Sequence, residues 1–470
     1  MNTERLRREF YFATMPMHAW MLRGRKIRAL HKELKTSEFL SNADLRNLQE
    51  SRLNALLKHA AESSPFYRQR LHKLGVSISD LAGFKTLEML PLLEKSDVRE
   101  NLLTGLVSNR FELDELLKIT TSGSTGEPFT IYANQSQLEI RFASTLRALE
   151  STGWQFGESQ VRLWHQTLGM TRSQVIRERI DATLLSRTFI PAFEFSPSSI
   201  RSFVARIERV EPVLIDGYAE SLNFLASYLN SGGQIDIRPR AVMSSAQMLP
   251  RQTKLAVENA LRTKVFDKYG SREFSGIAYE CSYQTGHHVV DECYIVELLV
   301  DGRPAQPGEI GEVVITDLFN YATPLIRYRI GDLAVALDNS VVCPCGRGHS
   351  RIGEIQGRTQ AIVHCANGTW MPGTFFAHFF KDHESTIRFF QILQSERGRF
   401  DLLVVPGTEF NARKLDEVLE QLREYVGNTS INLRLVDSIP LVRTGKRSPV
   451  VSQLSVDFQD LPGIFNSDGR

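Results

Sequence analysis

The chain reads as an α/β protein: a large N-terminal domain of mostly parallel sheets and helices with an antiparallel subdomain, and a small α+β C-terminal domain. Three observations predict this. From about residue 160 to 270, short apolar runs alternate with helical patterns, the mark of strand–helix units on a parallel sheet. From about Val289 the runs are strand-like and punctuated by turns such as Asp301-Gly302 and Gln306-Pro307-Gly308, which predicts the smaller antiparallel part. Near Gly357 the texture breaks again and leads into a domain-sized α+β stretch. The expected division is a helical region over 1–110, a large domain over 111–356 and a small domain over 357–470.

The elements follow in order. Residues 44–74 carry Leu45, Leu48, Leu53, Leu56 and Leu57 at helical steps, with Pro65 as an interruption. Met89-Leu90-Pro91-Leu92-Leu93 is an apolar turn into Lys95-Ser96-Asp97, a helix cap. Strands are expected at 116–119 and 129–132, and a helix over 135–152. Strands at 161–164, 212–217, 239–244 and 265–270 alternate with helices at 199–210, 221–230 and 250–262. Strands at 294–300, 311–316 and 333–337 make the antiparallel part. Strands at 361–363, 389–393, 400–405 and 433–436, with a helix over 412–425, make the small domain.

Composition narrows the function classes. Of 470 residues, 42% are hydrophobic and 23% charged, which is ordinary for a globular protein. A net charge of +2 gives no reason to expect nucleic acid as a partner. No apolar run approaches the ~20 residues that cross a bilayer. The charged N-terminus, with Glu4, Arg5, Arg7 and Arg8, is not a secretory signal. Five cysteines, an odd number in a long chain, argue for a reducing compartment, and the expected location is cytoplasmic. Arg23, Arg25, Lys26, Arg28, Lys32 and Lys35 lie beside Trp20, Met21, Leu22, Ile27 and Leu30. Such a basic amphipathic segment either rests on an anionic membrane or packs its apolar side on the body. A homodimer is the default assembly.

The most informative stretch is Thr120-Thr121-Ser122-Gly123-Ser124-Thr125-Gly126-Glu127-Pro128. Successive backbone N–H groups in a glycine turn form a concave anion site, and hydroxyls add donors that suit phosphate. It is not a Walker loop, because no Gly-Lys-Ser/Thr follows. The alternative is a polar hairpin turn. Three further segments carry chemistry. Tyr269-Gly270-Ser271-Arg272-Glu273 offers an aromatic face for a base, a glycine for close approach and a carboxylate for Mg²⁺. Tyr328-Arg329-Ile330-Gly331-Asp332 delivers an acid that can accept from ribose hydroxyls. Arg443-Thr444-Gly445-Lys446 presents a lysine on a glycine turn. Singly, each also reads as a core tyrosine, a surface acid, a salt-bridged aspartate and a solvated lysine.

In order and spacing these segments resemble the adenylate-forming superfamily of acyl-CoA synthetases, specifically its phenylacetate–CoA ligase branch and the related capsule-biosynthesis ligases. Gly308-Glu309-Ile310-Gly311-Glu312, the run 323–329 (TPLIRYR), Gly357-Arg358, and the runs 65–71 (PFYRQRL) and 90–95 (LPLLEK) belong to the same resemblance, which spans about Ser51 to Val451. It implies that a carboxylic acid attacks the α-phosphate of ATP, and that a thiol or amine then takes the acyl group. Under it Thr121, Ser122, Gly123, Ser124, Thr125 and Gly126 hold the β- and γ-phosphates. Tyr269 and Gly270 face adenine, Glu273 binds Mg²⁺, and Asp332 grips the ribose. Ser245, Ala246 and Arg358 complete the nucleotide site, and Lys446 bridges the carboxylate and α-phosphate oxygens. Gly357-Arg358 marks a hinge, and the resemblance implies that the small domain is mobile. The chain departs from the pattern at Arg272, where a hydroxyl is usual, at Gln247, where glutamate is common, and at Gln360, where the hinge is often acidic. The acid pocket is expected from Trp164-His165-Gln166, Asp216-Gly217-Tyr218-Ala219 and Ser244-Ser245. CoA is the expected acceptor; the alternatives are an amide- or ester-forming ligase of capsule or surface-polysaccharide biosynthesis and an inactive nucleotide-binding relative.

Cys343-Pro344-Cys345 is a thiolate pair on a turn, and Cys281 with His287-His288 lies upstream. Three sulfurs and one imidazole complete a tetrahedral, structural zinc shell; the alternative is three reduced, partly buried cysteines. The resemblance favours His288 over His287. Cys293 and Cys365 are expected as ordinary thiols.

Overall fold

The computed structural model describes residues 26–121, 129–163, 186–190, 197–230, 237–245, 248–358, 362–366, 370–372, 385–439 and 449–454, with the isolated positions 176, 180, 182–183, 235, 376, 379–380 and 383. It begins with five helices, α1 (Ile27–Ser37), α2 (Asn42–Ser63), α3 (Pro65–Lys73), α4 (Gly83–Met89) and α5 (Lys95–Asn101). Ser41 caps α2, its Oγ accepting from Asp44 N at 3.1 Å. Leu45, Leu53, Leu56 and Leu57 are buried on one side of it. Pro65 does split the helical run: it sits in the first turn of α3, where its missing N–H costs nothing, behind the Ser64 cap. The start of α5 differs from expectation. Its cap is Glu94, reciprocated by Asp97, because the turn before it is tied to the sheet: Leu93 bridges Tyr328, with Leu93 N donating to Arg327 O at 2.8 Å. Helix α1 buries Ile27 and Leu34 and packs on α6 (Gln135–Glu150), so the described part of the basic segment has its apolar side on the body. Trp20, Met21 and Leu22 lie outside the described residues.

Strands β1 (Leu117–Thr121) and β2 (Phe129–Ala133) form a two-stranded antiparallel hairpin. The main sheet takes β3 (Gln160–Leu163), β4 (Arg187–Ile190), β5 (Leu214–Gly217), β6 (Ala241–Ser245) and β7 (Val265–Ser271) in the parallel order β4-β3-β5-β6-β7. Helices α7 (Pro197–Val210), α8 (Ala219–Asn230) and α9 (Arg251–Leu261) connect them. Leu163, Ile215, Val242 and Val265 share one core with these helices.

The expected antiparallel part is present, and it continues the same sheet. Strands β8 (Ser275–Glu280), β9 (His287–Val289), β10 (Tyr294–Val300), β11 (Arg303–Pro304), β12 (Ile310–Asp317), β13 (Tyr328–Ala336) and β14 (Arg351–Arg358) extend it in the order β7-β8-β9-β14-β13-β12-β10-β11, giving twelve strands. Turn chemistry shows where strands end; pairing across a short β9 is a long-range event that local pattern does not carry. The joint is narrow, with only Arg351↔His288 and Ile352↔His287 recorded between β14 and β9. The sheet also curls. From β7 to β13 is four strand spacings, roughly 19 Å along a flat sheet, yet Tyr269 on β7 touches Asp332 on β13. A second, larger core joins the N-terminal helices, α6 and the antiparallel strands.

Beyond lie a short hairpin of β15 (Ile362–His364) and β16 (Trp370–Pro372), and a four-stranded sheet of β17 (Ile387–Glu396), β18 (Arg399–Pro406), β19 (Ser430–Leu435) and β20 (Val450–Ser452) in the order β19-β18-β17-β20. Helix α10 (Ala412–Val426) buries Leu415, Val418, Leu419, Leu422 and Val426, a single helical stripe, into a third core with Phe400, Leu402 and Val404. Strand β20 escaped the sequence reading because it is three residues long and held by a parallel partner, β17.

Candidate active site

The hydroxyl- and glycine-rich stretch does connect two strands. Thr121 pairs with Phe129, so the two ends of the 122–128 loop are held opposite one another. Ser122, Gly123, Ser124, Thr125 and Gly126 themselves lie outside the described residues. The hairpin is stitched to the β12–β13 connection. Tyr132 N donates to Thr323 Oγ1 at 3.1 Å, Asn320 Nδ2 donates to Tyr132 O at 3.1 Å, and Tyr321 N donates to Asn134 Oδ1 at 3.0 Å. The hairpin is therefore fixed to the connection that leads into β13, the strand that carries Asp332.

Tyr269 and Asp332, 63 residues apart, meet: the phenol donates to Asp332 Oδ2 at 2.8 Å, and both side chains are buried. The bond orients the ring. Arg358 sits opposite Asp332 in the β13–β14 ladder, which brings a third expected residue to the place by its backbone. Gly270 is required for a reason other than ligand approach. A Cβ there would lie 1.9 Å from Ser275 O, so the glycine lets β7 and β8 close into a tight hairpin.

Glu273 occupies the turn of that hairpin, and its position is fixed through backbone carbonyls. Arg141 Nη2 donates to Arg272 O at 2.8 Å, Gln137 Nε2 and Arg141 Nη1 each donate to Glu273 O at 3.3 Å, and the Tyr294 phenol donates to Phe274 O. Gln137 is itself held by Asp317 Oδ2 at 2.7 Å. Burial raises the Asp317 pKa, opposed by hydrogen bonds from Gln137 and the Phe319 N–H. Three consecutive carbonyls are thus clamped while the Glu273 carboxylate meets no hydrogen-bond or ion-pair partner among the described residues. A fixed, uncommitted carboxylate suits a hard divalent cation. Gln137, Arg141, Tyr294 and Asp317 were absent from the sequence reading. Their roles depend on contacts more than a hundred residues away, or, for Tyr294, on a turn whose shape was unknown.

Other expected residues divide. Ser245 Oγ donates to Asp216 Oδ1 at 3.1 Å, and Arg162 Nε lies 2.9 Å from Asp216 Oδ2. Ser244, Ser245 and Asp216 are buried at the carboxyl ends of β6 and β5, where parallel sheets take ligands. Trp164, His165, Gln166, Ala246, Gln247, Gln360 and Lys446 lie outside the described residues.

The metal-type cluster assembles at the narrow joint of the sheet. One ligand atom each from Cys281, His288, Cys343 and Cys345 lies within 4.8 Å of all the others. Cys281 Sγ is 3.6 Å from Cys343 Sγ, and His288 Nε2 is 3.4 Å from Cys345 Sγ. Zinc–sulfur and zinc–nitrogen bonds of ~2.3 and ~2.0–2.1 Å put tetrahedral donors roughly 3.4–3.8 Å apart, so the spacing fits. The chemistry fits as well. Burial, aided by His349 and Arg347, pulls the His288 pKa down to about 3, so its imidazole is neutral. Burial pushes the Cys281 thiol up to about 12, a cost that a dication would remove. His287 is turned away: its Nε2 is 3.0 Å from Asp267 Oδ2 and its Nδ1 is 3.2 Å from Gly353 O. Cys293 and Cys365 are buried and form no disulfide.

Known proteins resemble this chain in sequence and in fold. The model of the CapK C-terminal domain matches residues 364–453. A phenylacetate–coenzyme A ligase of Thermus thermophilus is 27% identical over 337 residues, 69% of this chain and 73% of its own. Protein CapK of Staphylococcus aureus is 22% identical over 426 residues, 87% of this chain and 90% of its own. Among solved structures, 2-hydroxyisobutyryl-CoA ligase in the postadenylation state with 2-HIB-AMP superposes with a TM-score of 0.67 at 20% identity, covering 88% of this chain and 91% of that one. That likeness speaks for the fold. In sequence the chain is similar to the phenylacetate–CoA ligases and to CapK, and in fold it is similar to an acyl-CoA ligase.

Proposed function

We propose that the protein is an ATP-dependent, AMP-forming ligase that activates a carboxylic acid as an acyl-adenylate and passes the acyl group on, with CoA as the leading acceptor. The observation that carries this reading is the meeting of Tyr269 and Asp332 beside a carbonyl-clamped Glu273, on a fold shared with CoA ligases. In this scheme the carboxylate oxygen of the acid attacks the α-phosphorus of ATP, and pyrophosphate leaves with the electron pair of the broken P–O bond. Tyr269, oriented by Asp332, stacks on adenine; Asp332 accepts from the ribose. The 122–126 backbone cradles the departing phosphates, with Thr121 at its base. Gly270 shapes the hairpin beneath adenine, and Ser245, Ala246 and Arg358 line the nucleotide. Glu273 would hold Mg²⁺, which would supply charge to offset that of the phosphates. Lys446, brought in by closure of the small domain, stabilises the charge that grows between carboxylate and phosphate. Cys281, His288, Cys343 and Cys345 hold a structural zinc. Its shell is filled by protein, which leaves it no place in the reaction.

A panel of carboxylic acids, scored for acid-dependent pyrophosphate release, tests the first half. Lys446→Ala should lower that release ~10²-fold or more; an unchanged rate removes the lysine from the mechanism. The second reading, an amide- or ester-forming ligase of capsule or surface-polysaccharide biosynthesis, is favoured by one observation: the S. aureus CapK match runs over 87% of the chain, and the CapK-type C-terminal domain would face the acceptor. Trapping the product with CoA against amines separates the two.

A further inference from the structure

The parallel ladders carry a row of charges that the proposed reaction does not use. Residue pairing aligns Arg162 with Asp216, and Ser245 with Lys268, at the carboxyl ends of four adjacent strands. Asp216 is occupied by both Arg162 and Ser245. The other nearby acid, Asp267, is engaged by His287 at 3.0 Å. Lys268 meets no hydrogen-bond or ion-pair partner among the described residues. Its stem lies over Gly276, 3.7 Å from where a Cβ would stand. Arg187, at the start of β4, shares Phe189 with Arg162: their guanidinium carbons lie 5.9 and 5.7 Å from that ring. Burial, with Arg162 and Arg187 adding and Asp216 opposing, pulls the Lys268 pKa below its ordinary value. An under-compensated, desolvated cation is costly unless an anion arrives. The Arg162 side chain keeps 20% exposure, so solvent reaches the row.

Successive residues of a strand point to opposite faces. Lys268 therefore leaves β7 on the face opposite Tyr269, the face it shares with its ladder partner Ser245, so the group it meets is not the adenine that Tyr269 takes. Resting on the adenylating reading above, we infer that Lys268, beside the Arg162–Asp216 pair, is a specificity-determining residue that receives a second anionic group at the far end of the acid. The substrate class is then a diacid, with one carboxylate activated and the other held.

The test compares kcat/KM for pyrophosphate release with diacids and monoacids of matched chain length, in the wild type and in Lys268→Met and Lys268→Gln. The wild type should prefer the diacid, and both variants should lower the diacid-to-monoacid ratio about 10- to 100-fold, the worth of one charged hydrogen bond. A ratio unmoved by both variants, or a wild type that prefers monoacids, overturns the inference and leaves the adenylating reading standing. If no acid releases pyrophosphate, the adenylating reading fails. The pocket is then judged by thermal shift alone: a diacid that raises the wild-type Tm but not that of Lys268→Gln sustains it, and equal shifts overturn it.

Discussion

Removing Arg147 should damage the protein far more than removing Arg147 and Glu292 together. Both are almost fully buried, at 0% and 1% side-chain exposure. Arg147 Nη2 donates to Glu292 Oε2 at 3.0 Å, and Arg147 Nη1 donates to the other Glu292 oxygen and, at 2.9 Å, to Leu34 O. Ser37 Oγ donates to Glu292 Oε1 at 2.6 Å, and His349 Nε2 stands 3.2 Å from both oxygens. This network ties α1 to α6, the helix whose Gln137 and Arg141 hold the Glu273 turn. Arg147→Met leaves a buried carboxylate with Ser37 and His349 alone, at a cost of about 3–5 kcal/mol. The double variant Arg147→Met, Glu292→Met removes both charges and strands only the Leu34 carbonyl, Ser37 and His349. It should fall within about 1–2 kcal/mol of wild type. The double variant thus recovers roughly 2 kcal/mol or more of the loss of Arg147→Met alone, and with Glu292→Met as the other single variant the departure from additivity is well beyond the ~0.5 kcal/mol scatter of independent sites. Urea unfolding read by Trp154 fluorescence, with the other tryptophans replaced, measures it, because Trp154 is buried in the same core. With a slope of about 3 kcal/mol/M, the single variant should shift the midpoint by about 1–2 M. Single-variant losses that simply add in the double variant would refute the reasoning.

Glu292 also sets an acid limb. Burial works to raise its pKa, but Arg147 and His349 outweigh burial and hold it well below the ordinary value. A depressed folded pKa stabilises fully above the unfolded value of about 4.3 and is lost as pH falls through the folded one. The stability gap between wild type and Glu292→Gln should therefore shrink below about pH 4.3; a gap independent of pH refutes it. Gly270→Ala should open the β7–β8 hairpin, since its Cβ would meet Ser275 O at 1.9 Å. ATP binding by calorimetry should weaken at least about tenfold, the effect of roughly 1.4 kcal/mol, and unaltered affinity would sink this account of the turn. Pure protein should carry about one equivalent of zinc, and stripping it with a chelator should lower the Tm and weaken ATP binding; less than half an equivalent as purified counts against the site.

Legibility followed range. Tyr269, Asp332 and the three cysteines with His288 were readable because each carries rare chemistry in a short local pattern. Their meeting was not, since it requires a curl across four strand spacings. Gly270 was read for its ligand and serves its own hairpin, because a glycine's neighbour is set by pairing rather than by spacing. The helices α2, α3 and α10 followed from apolar steps and caps. Strands β8, β9 and β14 did not, since each is defined by a partner distant in the chain. Gln137 and Arg141 lie on the buried side of a helix that looked merely amphipathic; only the turn they clamp shows what they do.

The two-pair joint between β9 and β14 carries histidines at consecutive positions, and this has an outcome for folding fidelity. Sliding β9 by one residue would exchange the faces of His287 and His288. One imidazole would still reach one of the two partners, the sulfurs or Asp267, while the other would stand two residues along its face from the place it should take, so the wrong alignment is chemically half-disguised. What tells the two apart is the surroundings: Gly353 O receives only the ring placed as His287 is, and Gly286, at φ +116 with Leu337 and Ile352 O crowding it, anchors the strand's entry. A side chain at position 286 would therefore be felt first as chains trapped in the slipped pairing, before any loss of the finished enzyme.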